Sequence, residues 1–247
     1  MKTLFYIFFV LLIISLNFCK EKPITIHMIG DSTMANKPDP EINPERGWGQ
    51  MLQLFFDDNV IIKNHAVNGR STKSFIDEGL WDSVMVDINQ GDYVFIQFGH
   101  NDKKTYDPHR YANPITIYRK NLETFVNKTR EKGAIPVLIT SIVRRKFNKD
   151  SVLEDTHGLY PFITHQVAYE KNVYFIDLQL KTEELVTKLG PEKSKKMYLW
   201  IKADSSGYFP EGKQDNTHLT IFGAKEVCRL ATENIKELKM PLTDYIK

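Results

Sequence analysis

Five short apolar runs, separated by longer stretches with helical periodicity, constrain the fold of this chain more than any other feature. The runs are rich in β-branched and aromatic residues and almost continuously apolar, which is typical of strands buried on both faces of a parallel sheet. Their alternation with helical patterns predicts a three-layer α/β fold with a five-stranded, mainly parallel sheet. The predicted strands are residues 24–29, 60–67, 93–98, 135–140 and 173–178.

Two helical patterns and two irregular regions complete this outline. Apolar residues repeat at helical spacing over residues 118–129, where Gly133 closes the helix, and again over residues 224–238. Residues 144–155 are polar and are predicted to form a surface loop. Residues 191–214 are predicted to form a long irregular loop with several aromatic side chains, and loops of this length in compact domains are often functional.

The first 19 residues differ from the rest and predict an export signal. A short cationic start precedes an apolar run over residues 4–18, which is shorter than the roughly 20 residues that span a bilayer. An uncleaved N-terminal anchor is the alternative. Cys19 follows this run in a segment that resembles a bacterial lipoprotein box, so a lipid anchor at Cys19 and plain secretion both remain open. We expect a periplasmic, cell-surface or secreted protein with one domain over residues 23–247.

Composition argues against several classes of function. A formal net charge of +2 gives no reason to propose nucleic acid as a partner. Cys228 is the only cysteine outside the leader segment, so we expect no intramolecular disulfide once the leader is cut at or after Cys19. The histidines form no metal-binding motif and no glycine-rich phosphate loop is present, so the sequence predicts neither a metal site nor a cofactor. A monomer is the expected state.

Four short polar segments carry the chemistry that the sequence predicts. Three of them follow predicted strands, and ligands of open α/β sheets bind at the carboxyl ends of strands. Each segment alone is typical of a turn or a helix cap. Together, in this order, they predict one hydrolytic site. The segments are residues 30–33 (Gly-Asp-Ser-Thr), 68–71 (Asn-Gly-Arg-Ser), 99–102 (Gly-His-Asn-Asp) and 215–218 (Asp-Asn-Thr-His).

Ser32 is the predicted nucleophile of this site. A serine hydroxyl needs a neighbouring base, and His218 could take its proton and later return it to the leaving group. Asp215, three residues earlier, could orient the imidazole and stabilise its charged form. The backbone N–H groups of Ser32 and Gly69 and the side-chain amide of Asn101 are predicted to form the oxyanion hole.

Further residues are weaker candidates for substrate binding. His100 could contact the substrate carbonyl, or simply bond to the backbone of its own turn. Arg70 could bind a uronate carboxylate or form a structural ion pair. Trp200 and Tyr208 could stack on sugar rings or pack within their loop. Trp48 is interpreted as packing between helix and sheet rather than as a sugar platform.

The chain resembles the SGNH (GDSL-type) hydrolases, whose four sequence blocks carry a serine, a glycine, an asparagine and a histidine. It is most similar to the rhamnogalacturonan acetylesterase family. The resemblance implies a flavodoxin-like SGNH hydrolase fold, a serine mechanism without a metal, and removal of acetyl groups from pectic rhamnogalacturonan. It rests on Ser32, Gly69, Asn101 and His218 within their blocks, and on residues 46–50 (Arg-Gly-Trp-Gly-Gln) and 155–161 (Asp-Thr-His-Gly-Leu-Tyr-Pro).

We therefore interpret the chain as an exported serine esterase that removes acetyl groups from a plant cell-wall polysaccharide, or an oligosaccharide of it, through an acetyl-enzyme on Ser32. The resemblance favours rhamnogalacturonan or pectin as this substrate. The alternatives are an acetylxylan or other carbohydrate esterase, a small lipase or thioesterase, and a non-catalytic carbohydrate-binding protein of the same fold. The complete triad disfavours the last of these, and the lack of a long apolar lid disfavours a lipase. Residues 144–146 and 193–196 match nothing in the family pattern, so the polysaccharide is less well determined than the reaction.

Overall fold

The computed structural model of the protein describes residues 23–247, so the predicted export signal and Cys19 lie outside the described residues. The strands are β1 (Ile24–Gly30), β2 (Glu45–Arg46), β3 (Val60–Asn64), β4 (Tyr93–Gln97), β5 (Ile135–Ile139), β6 (Tyr174–Ile176), β7 (Tyr198–Ile201) and β8 (Lys213–Thr220). The α-helices are α1 (Trp48–Met51), α2 (Thr72–Asp77), α3 (Leu80–Asp87), α4 (Arg119–Glu131), α5 (Tyr160–Lys171), α6 (Leu178–Lys193) and α7 (Ile221–Glu237). Short 3₁₀-helices occupy Leu52–Phe55, Ser194–Met197 and Pro241–Tyr245, and a π-helical turn occupies Pro114–Tyr118.

Five strands form one parallel sheet in the order β3-β1-β4-β5-β6. The predicted α/β fold and five-stranded sheet are therefore confirmed, with strand ends that differ from the predicted ones by up to three residues. The chain leaves β1 to one side for β3 and then returns to the other side for β4. In sheets of this type the ligand binds where the strand order reverses, which is here at the carboxyl end of β1.

Successive side chains of a strand point to opposite faces of the sheet, and helices cover both faces. The strands are therefore continuous apolar runs in the sequence. Met28 and Phe95 enter the core on the face covered by α1, α6 and α7, whereas Ile29 and Ile96 enter the core beneath α2 to α5. All four are fully buried. Full burial of such a side chain stabilises the fold by about 1.5–3 kcal/mol. None of the helices in residues 23–247 is long and apolar enough to cross a membrane.

A second sheet of three antiparallel strands, in the order β2-β8-β7, was not predicted. The prediction of an irregular loop over residues 191–214 is wrong for most of that range, because α6, a helical turn, β7 and the start of β8 cover it. Within residues 191–214, only residues 202–212 lie outside helices and strands. Strand β7 has four residues, too few for periodicity to show, and its partner β8 is mostly polar.

The prediction of a surface loop over residues 144–155 is wrong at its beginning. Arg145 is buried and Arg144 is half-buried, whereas most of the following residues are exposed. The two predicted helices are confirmed as α4 and α7. Gly133 follows α4 with a φ of 70°, the left-handed conformation that commonly ends a helix at glycine.

Candidate active site

Ser32, His218 and Asp215 form one chain of hydrogen bonds at the carboxyl end of β1. His218 Nε2 lies 2.9 Å from Ser32 Oγ, and His218 Nδ1 lies 2.7 Å from Asp215 Oδ2. Ser32 follows β1 in a turn, and the other two side chains extend from β8, 186 residues later in the sequence for His218. This arrangement can move a proton from the serine hydroxyl to the imidazole while the carboxylate stabilises the resulting charge.

The surroundings of Asp215 keep its carboxylate ionised. Burial alone would raise the pKa of Asp215, but hydrogen bonds from His218 and from the backbone of Thr217 outweigh burial and hold this pKa well below its usual range. The backbone N–H groups of Thr217 and His218 both donate to Oδ1, at 2.7 and 3.0 Å. The Oδ2 atom therefore remains directed at the imidazole, which fixes the ring and its tautomer.

The three donors predicted to form the oxyanion hole have hydrogens to offer to a substrate oxygen. Within the described part of the chain, neither Ser32 N–H nor Gly69 N–H donates to a protein acceptor. Gly69 has a φ of 77°, a left-handed conformation that glycine adopts without strain. The buried Asn101 amide donates one hydrogen to the Arg70 carbonyl at 3.0 Å and retains a second hydrogen.

Asp102 joins the segment of Asn101 to the segment of Gly69. Its Oδ1 accepts hydrogen bonds from Thr72 N–H at 2.9 Å and from Thr72 Oγ1 at 2.6 Å, at the first residue of α2. Complete burial raises the pKa of Asp102 to about 7, against the opposing effect of the Thr72 hydrogen bonds. The segments of the predicted oxyanion donors Gly69 and Asn101 are therefore held together by a buried carboxyl group.

Lys37 is a buried lysine that joins the segment of Ser32 to the segment of Gly69. Its ammonium group donates to the Ser32 carbonyl at 2.6 Å and to Asn68 Oδ1 at 2.7 Å, and pairs with Glu45 at 2.8 Å. Each of its three N–H groups can thus meet an acceptor, as a buried charge requires.

Arg145 anchors the strand that carries His218. Its backbone N–H donates to the Asn216 carbonyl at 2.8 Å, and its Nη1 donates to Asn216 Oδ1 at 2.8 Å. The same guanidinium donates to the Pro191 carbonyl and, at 3.1 Å, to Ser194 Oγ. The loop after β5 therefore holds β8 and the end of α6 in one position.

His100 lies next to Asn101 and is almost fully buried. Its Nδ1 lies 3.3 Å from Arg144 Nε and 3.0 Å from His157 Nε2. Because Arg144 Nε can only donate, Nδ1 acts as an acceptor and a neutral His100 carries its proton on Nε2. Burial, followed by the charges of neighbouring groups, lowers the pKa of His100 well below its usual value. His100 is therefore neutral and held by side chains rather than by its own turn.

The remaining sequence-predicted candidates have protein partners. Arg70 pairs with Glu78 through Nε at 2.8 Å and Nη2 at 2.6 Å. The Trp200 ring has the guanidinium of Arg145 at 4.7 Å and the ammonium of Lys195 at 4.6 Å from its centroid. Tyr208 lies in the irregular segment before β8, against Phe209, and Trp48 is fully buried with its Nε1 donating to Gln97.

Sequence reasoning missed Lys37, Arg144 and Arg145. An isolated lysine in a polar segment gives no signal of burial, so Lys37 could not have been found. Arg144 and Arg145 follow β5 at its carboxyl end, the edge where the other site residues lie. The same strand-end argument could therefore have identified them. Within residues 23–247, no three His, Cys, Asp or Glu side chains form a group that could hold a metal ion.

Comparison with known proteins identifies the family. The sequence pattern of the GDSL-like lipase/acylhydrolase family matches residues 28–223. The chain belongs to this family. It is therefore a carboxylic ester hydrolase, and the resemblance to SGNH hydrolases is confirmed.

Two curated relatives of this GDSL-like hydrolase match over nearly its whole length. Rhamnogalacturonan acetylesterase RhgT of Bacillus subtilis (strain 168) is 41% identical, covering 92% of this chain and 95% of the relative. Probable rhamnogalacturonan acetylesterase YesY of the same organism is 36% identical, covering 90% and 96%. The similarity to the rhamnogalacturonan acetylesterase family is thereby confirmed.

Two solved structures share the fold of this GDSL-like hydrolase. YxiM of Bacillus subtilis matches with a TM-score of 0.73 and 24% identity, over 89% of this chain and 58% of its own. This chain thus spans little more than half of that structure. Axe2, an acetylxylan esterase from Geobacillus stearothermophilus, matches with a TM-score of 0.60 and 16% identity, over 86% and 94%.

Proposed function

We propose that this protein is a carbohydrate acetylesterase that removes acetyl groups from a pectic polysaccharide through an acetyl-enzyme on Ser32. The observation that carries the proposal is the continuous hydrogen-bonded chain from Ser32 Oγ through His218 to Asp215. Within residues 23–247, the backbone N–H groups of Ser32 and Gly69 donate to no protein acceptor and the Asn101 amide keeps one hydrogen, which supports their proposed role as oxyanion donors.

In the first half of the reaction, Ser32 Oγ attacks the acetyl carbonyl carbon as His218 Nε2 takes the hydroxyl proton. The carbonyl oxygen becomes an oxyanion, which accepts hydrogen bonds from Ser32 N–H, Gly69 N–H and Asn101 Nδ2. When the intermediate collapses, the bond from the carbonyl carbon to the sugar oxygen breaks, and His218 returns its proton to that oxygen. The sugar leaves with a free hydroxyl group and the acetyl group remains on Ser32.

In the second half, a water molecule takes the place of the sugar. His218 removes a proton from the water as its oxygen attacks the acetyl carbon, and the same donors stabilise the second oxyanion. Collapse breaks the bond to Ser32 Oγ, which recovers its proton from His218, and acetic acid leaves and releases its proton to solvent as acetate. Asp215 remains ionised throughout and stabilises the imidazolium in both halves.

The choice of substrate follows the curated relatives. RhgT and YesY, both named as rhamnogalacturonan acetylesterases, match this chain over at least 90% of its length. Axe2 favours acetylxylan as the second candidate, although its likeness is one of fold. We also propose that the protein is exported, since its first 19 residues have the pattern of an export signal.

Acetate release from acetylated rhamnogalacturonan, acetylated xylan and p-nitrophenyl acetate tests this function. Wild type should release acetate from all three and act fastest on the pectic substrate. Ser32→Ala should lose at least about 10³-fold in kcat. Ser83→Ala, which removes an exposed hydroxyl on α3, is the matched control and should keep wild-type activity. Equal rates for Ser32→Ala and wild type would exclude the serine mechanism, and a preference for xylan would change the assigned polymer.

A further inference from the structure

Three cationic side chains come from the two loops next to the segments of Gly69 and Asn101. Lys104 and Arg110 belong to the loop after β4 that also carries Asn101, and Arg144 belongs to the loop after β5. Partial burial lowers the pKa of Lys104, and the charges of Arg110 and Arg144 lower this pKa further, as expected of like charges that share one neighbourhood. All three side chains are half-buried and so can reach solvent.

This group, the Lys104–Arg110–Arg144 cluster, directly adjoins the oxyanion hole. A Cβ atom at Gly69 would lie 3.7 Å from the guanidinium carbon of Arg110 and from both of its terminal nitrogens. Arg144 donates to His100, the residue before Asn101, through Nε to Nδ1 at 3.3 Å and through Nη2 to the carbonyl oxygen at 3.2 Å.

The cluster has fewer anionic partners than it has charges. Among residues 23–247, the only carboxylate paired with it is Asp107, which lies 3.1 Å from Arg110 Nε, and the terminal nitrogens of Arg110 donate no hydrogen bond to these residues. Among these described residues, neither Arg144 nor Lys104 has a carboxylate within 4 Å, although Asp31 and Asp215 act on Arg144 from farther away and Asp107 and Asp31 act on Lys104. Arg70, the residue predicted to bind a uronate, is instead paired with Glu78.

We propose that Lys104, Arg110 and Arg144 form an anion subsite that binds a carboxylate of the acetylated substrate, so that the enzyme favours acidic over neutral acetyl sugars. Guanidinium groups suit a carboxylate because two of their N–H groups can donate to its two oxygens. The inference rests on the proposed function for the reaction that follows binding. The subsite concerns binding alone and can be tested without turnover.

A pair of substrates that differ only in charge tests the subsite. One is an acetylated oligogalacturonide with free carboxylates, and the other is the same oligosaccharide after methyl esterification. Wild type should show a kcat/KM at least about tenfold higher for the acidic form, since hydrogen bonds to charged groups are the strong ones. Added salt should reduce this ratio. A ratio near one would overturn the subsite.

Three variants and a control locate the effect. Arg144→Gln, Arg110→Gln and Lys104→Gln should each lower the acidic-to-neutral ratio, and Arg144→Lys should restore part of it. Arg130→Gln, which removes a cation that donates to the Asn172 carbonyl after α5, should leave the ratio unchanged. Arg110 makes one ion pair, with Asp107, so we expect Arg110→Gln to fold. It therefore provides the test if Arg144→Gln does not fold. An equal loss on both substrates would overturn the proposal, because the cations would then act on the oxyanion alone.

A binding measurement separates this inference from the proposed function. Calorimetry on Ser32→Ala should give a lower Kd for the acidic oligosaccharide than for the methyl-esterified one, and Arg144→Gln in that background should remove the difference. Failure of wild type to release acetate would contradict the proposed function alone, since the binding result still decides the subsite. Equal Kd values for the two oligosaccharides would overturn the subsite even in an active esterase.

Discussion

At the scale of single residues, the site depends on buried polar side chains that do not themselves touch the substrate. Lys37 holds the carbonyl of Ser32 and the side chain of Asn68 with one ammonium group. It thereby sets the distance between the two backbone N–H groups expected to bind the oxyanion. Asp102 accepts two hydrogen bonds from Thr72 and so joins the segment of Asn101 to the start of α2.

Lys37→Met should lower kcat by about tenfold or more and change KM little. The backbone donors of Ser32 and Gly69 would shift by fractions of an ångström and would stabilise the oxyanion of the transition state less well. Steady-state kinetics on p-nitrophenyl acetate measure this split. Lys120→Met, on the surface of α4, is the control. A rise in KM with unchanged kcat would show that Lys37 contributes to binding rather than to positioning.

Asn101→Ala should lower kcat by about 10²–10³-fold with a smaller change in KM, since the lost amide acts on charge that develops in the transition state. The same assay with Asn234→Ala, on α7, as a control measures the effect. If Asn101→Ala keeps its turnover number, Asn101 is not an oxyanion donor.

At the scale of secondary-structure elements, the position of His218 is set by β8. This strand pairs with β2 and β7 and is tied by Arg145 to the loop after β5. The parallel sheet was predictable because each strand is apolar on both faces, as Met28 and Ile29 illustrate. Strand β8 was not, because it is polar and its partner β7 has four residues.

Arg145→Met should lower both Tm and kcat, because Asn216, Pro191 and Ser194 lose hydrogen bonds from a buried guanidinium and β8 loses its anchor. A hydrogen bond from a charged group contributes about 1.5–3 kcal/mol to stability. Thermal unfolding and turnover of the same preparation measure the two effects. Arg229→Met, on the surface of α7, should change neither. A lower Tm with full activity would mean that β8 holds His218 without Arg145.

At the scale of the whole molecule, the buried histidines should make the fold sensitive to acid. Burial, followed by the charge of His27, lowers the pKa of His65 to about 4. In the unfolded chain a histidine has a pKa of about 6.5, so between these values the unfolded state binds more protons. The contribution of His65 to the free energy of unfolding therefore falls as the pH drops from about 6.5 to about 4. Asp102, with its raised pKa, acts in the opposite direction over a similar range.

Replacement of His65 isolates its share of this acid sensitivity. His65→Gln should lose less stability than wild type between pH 6.5 and pH 4, since no proton is then excluded from the folded state. Urea unfolding at the two pH values measures the difference. His109→Gln, at an exposed position, should lose as much stability as wild type. A loss in His65→Gln equal to that of wild type would contradict the assignment.

The sequence placed the reacting groups better than it placed what surrounds them. Ser32 and His218 belong to short segments whose residue types follow from the chemistry of ester hydrolysis. The roles of Lys37 and Arg144 follow from burial and from contacts between distant loops, which periodicity does not report. The sequence suggested that Arg70 could bind a uronate, but in the folded chain its guanidinium is paired with Glu78. Sequence patterns do not reveal such a pair.

The central claim is that Ser32 carries the acetyl group during turnover. With p-nitrophenyl acetate the good leaving group makes hydrolysis of the acetyl-enzyme the slower step, so the intermediate should accumulate. Acid quenching during turnover, followed by peptide mapping by mass spectrometry, is the most direct measurement. We predict one acetyl group on the peptide that contains Ser32 in wild type and none in Ser32→Ala. An acetyl group on a different residue, or full turnover with Ser32 never modified, would contradict the account.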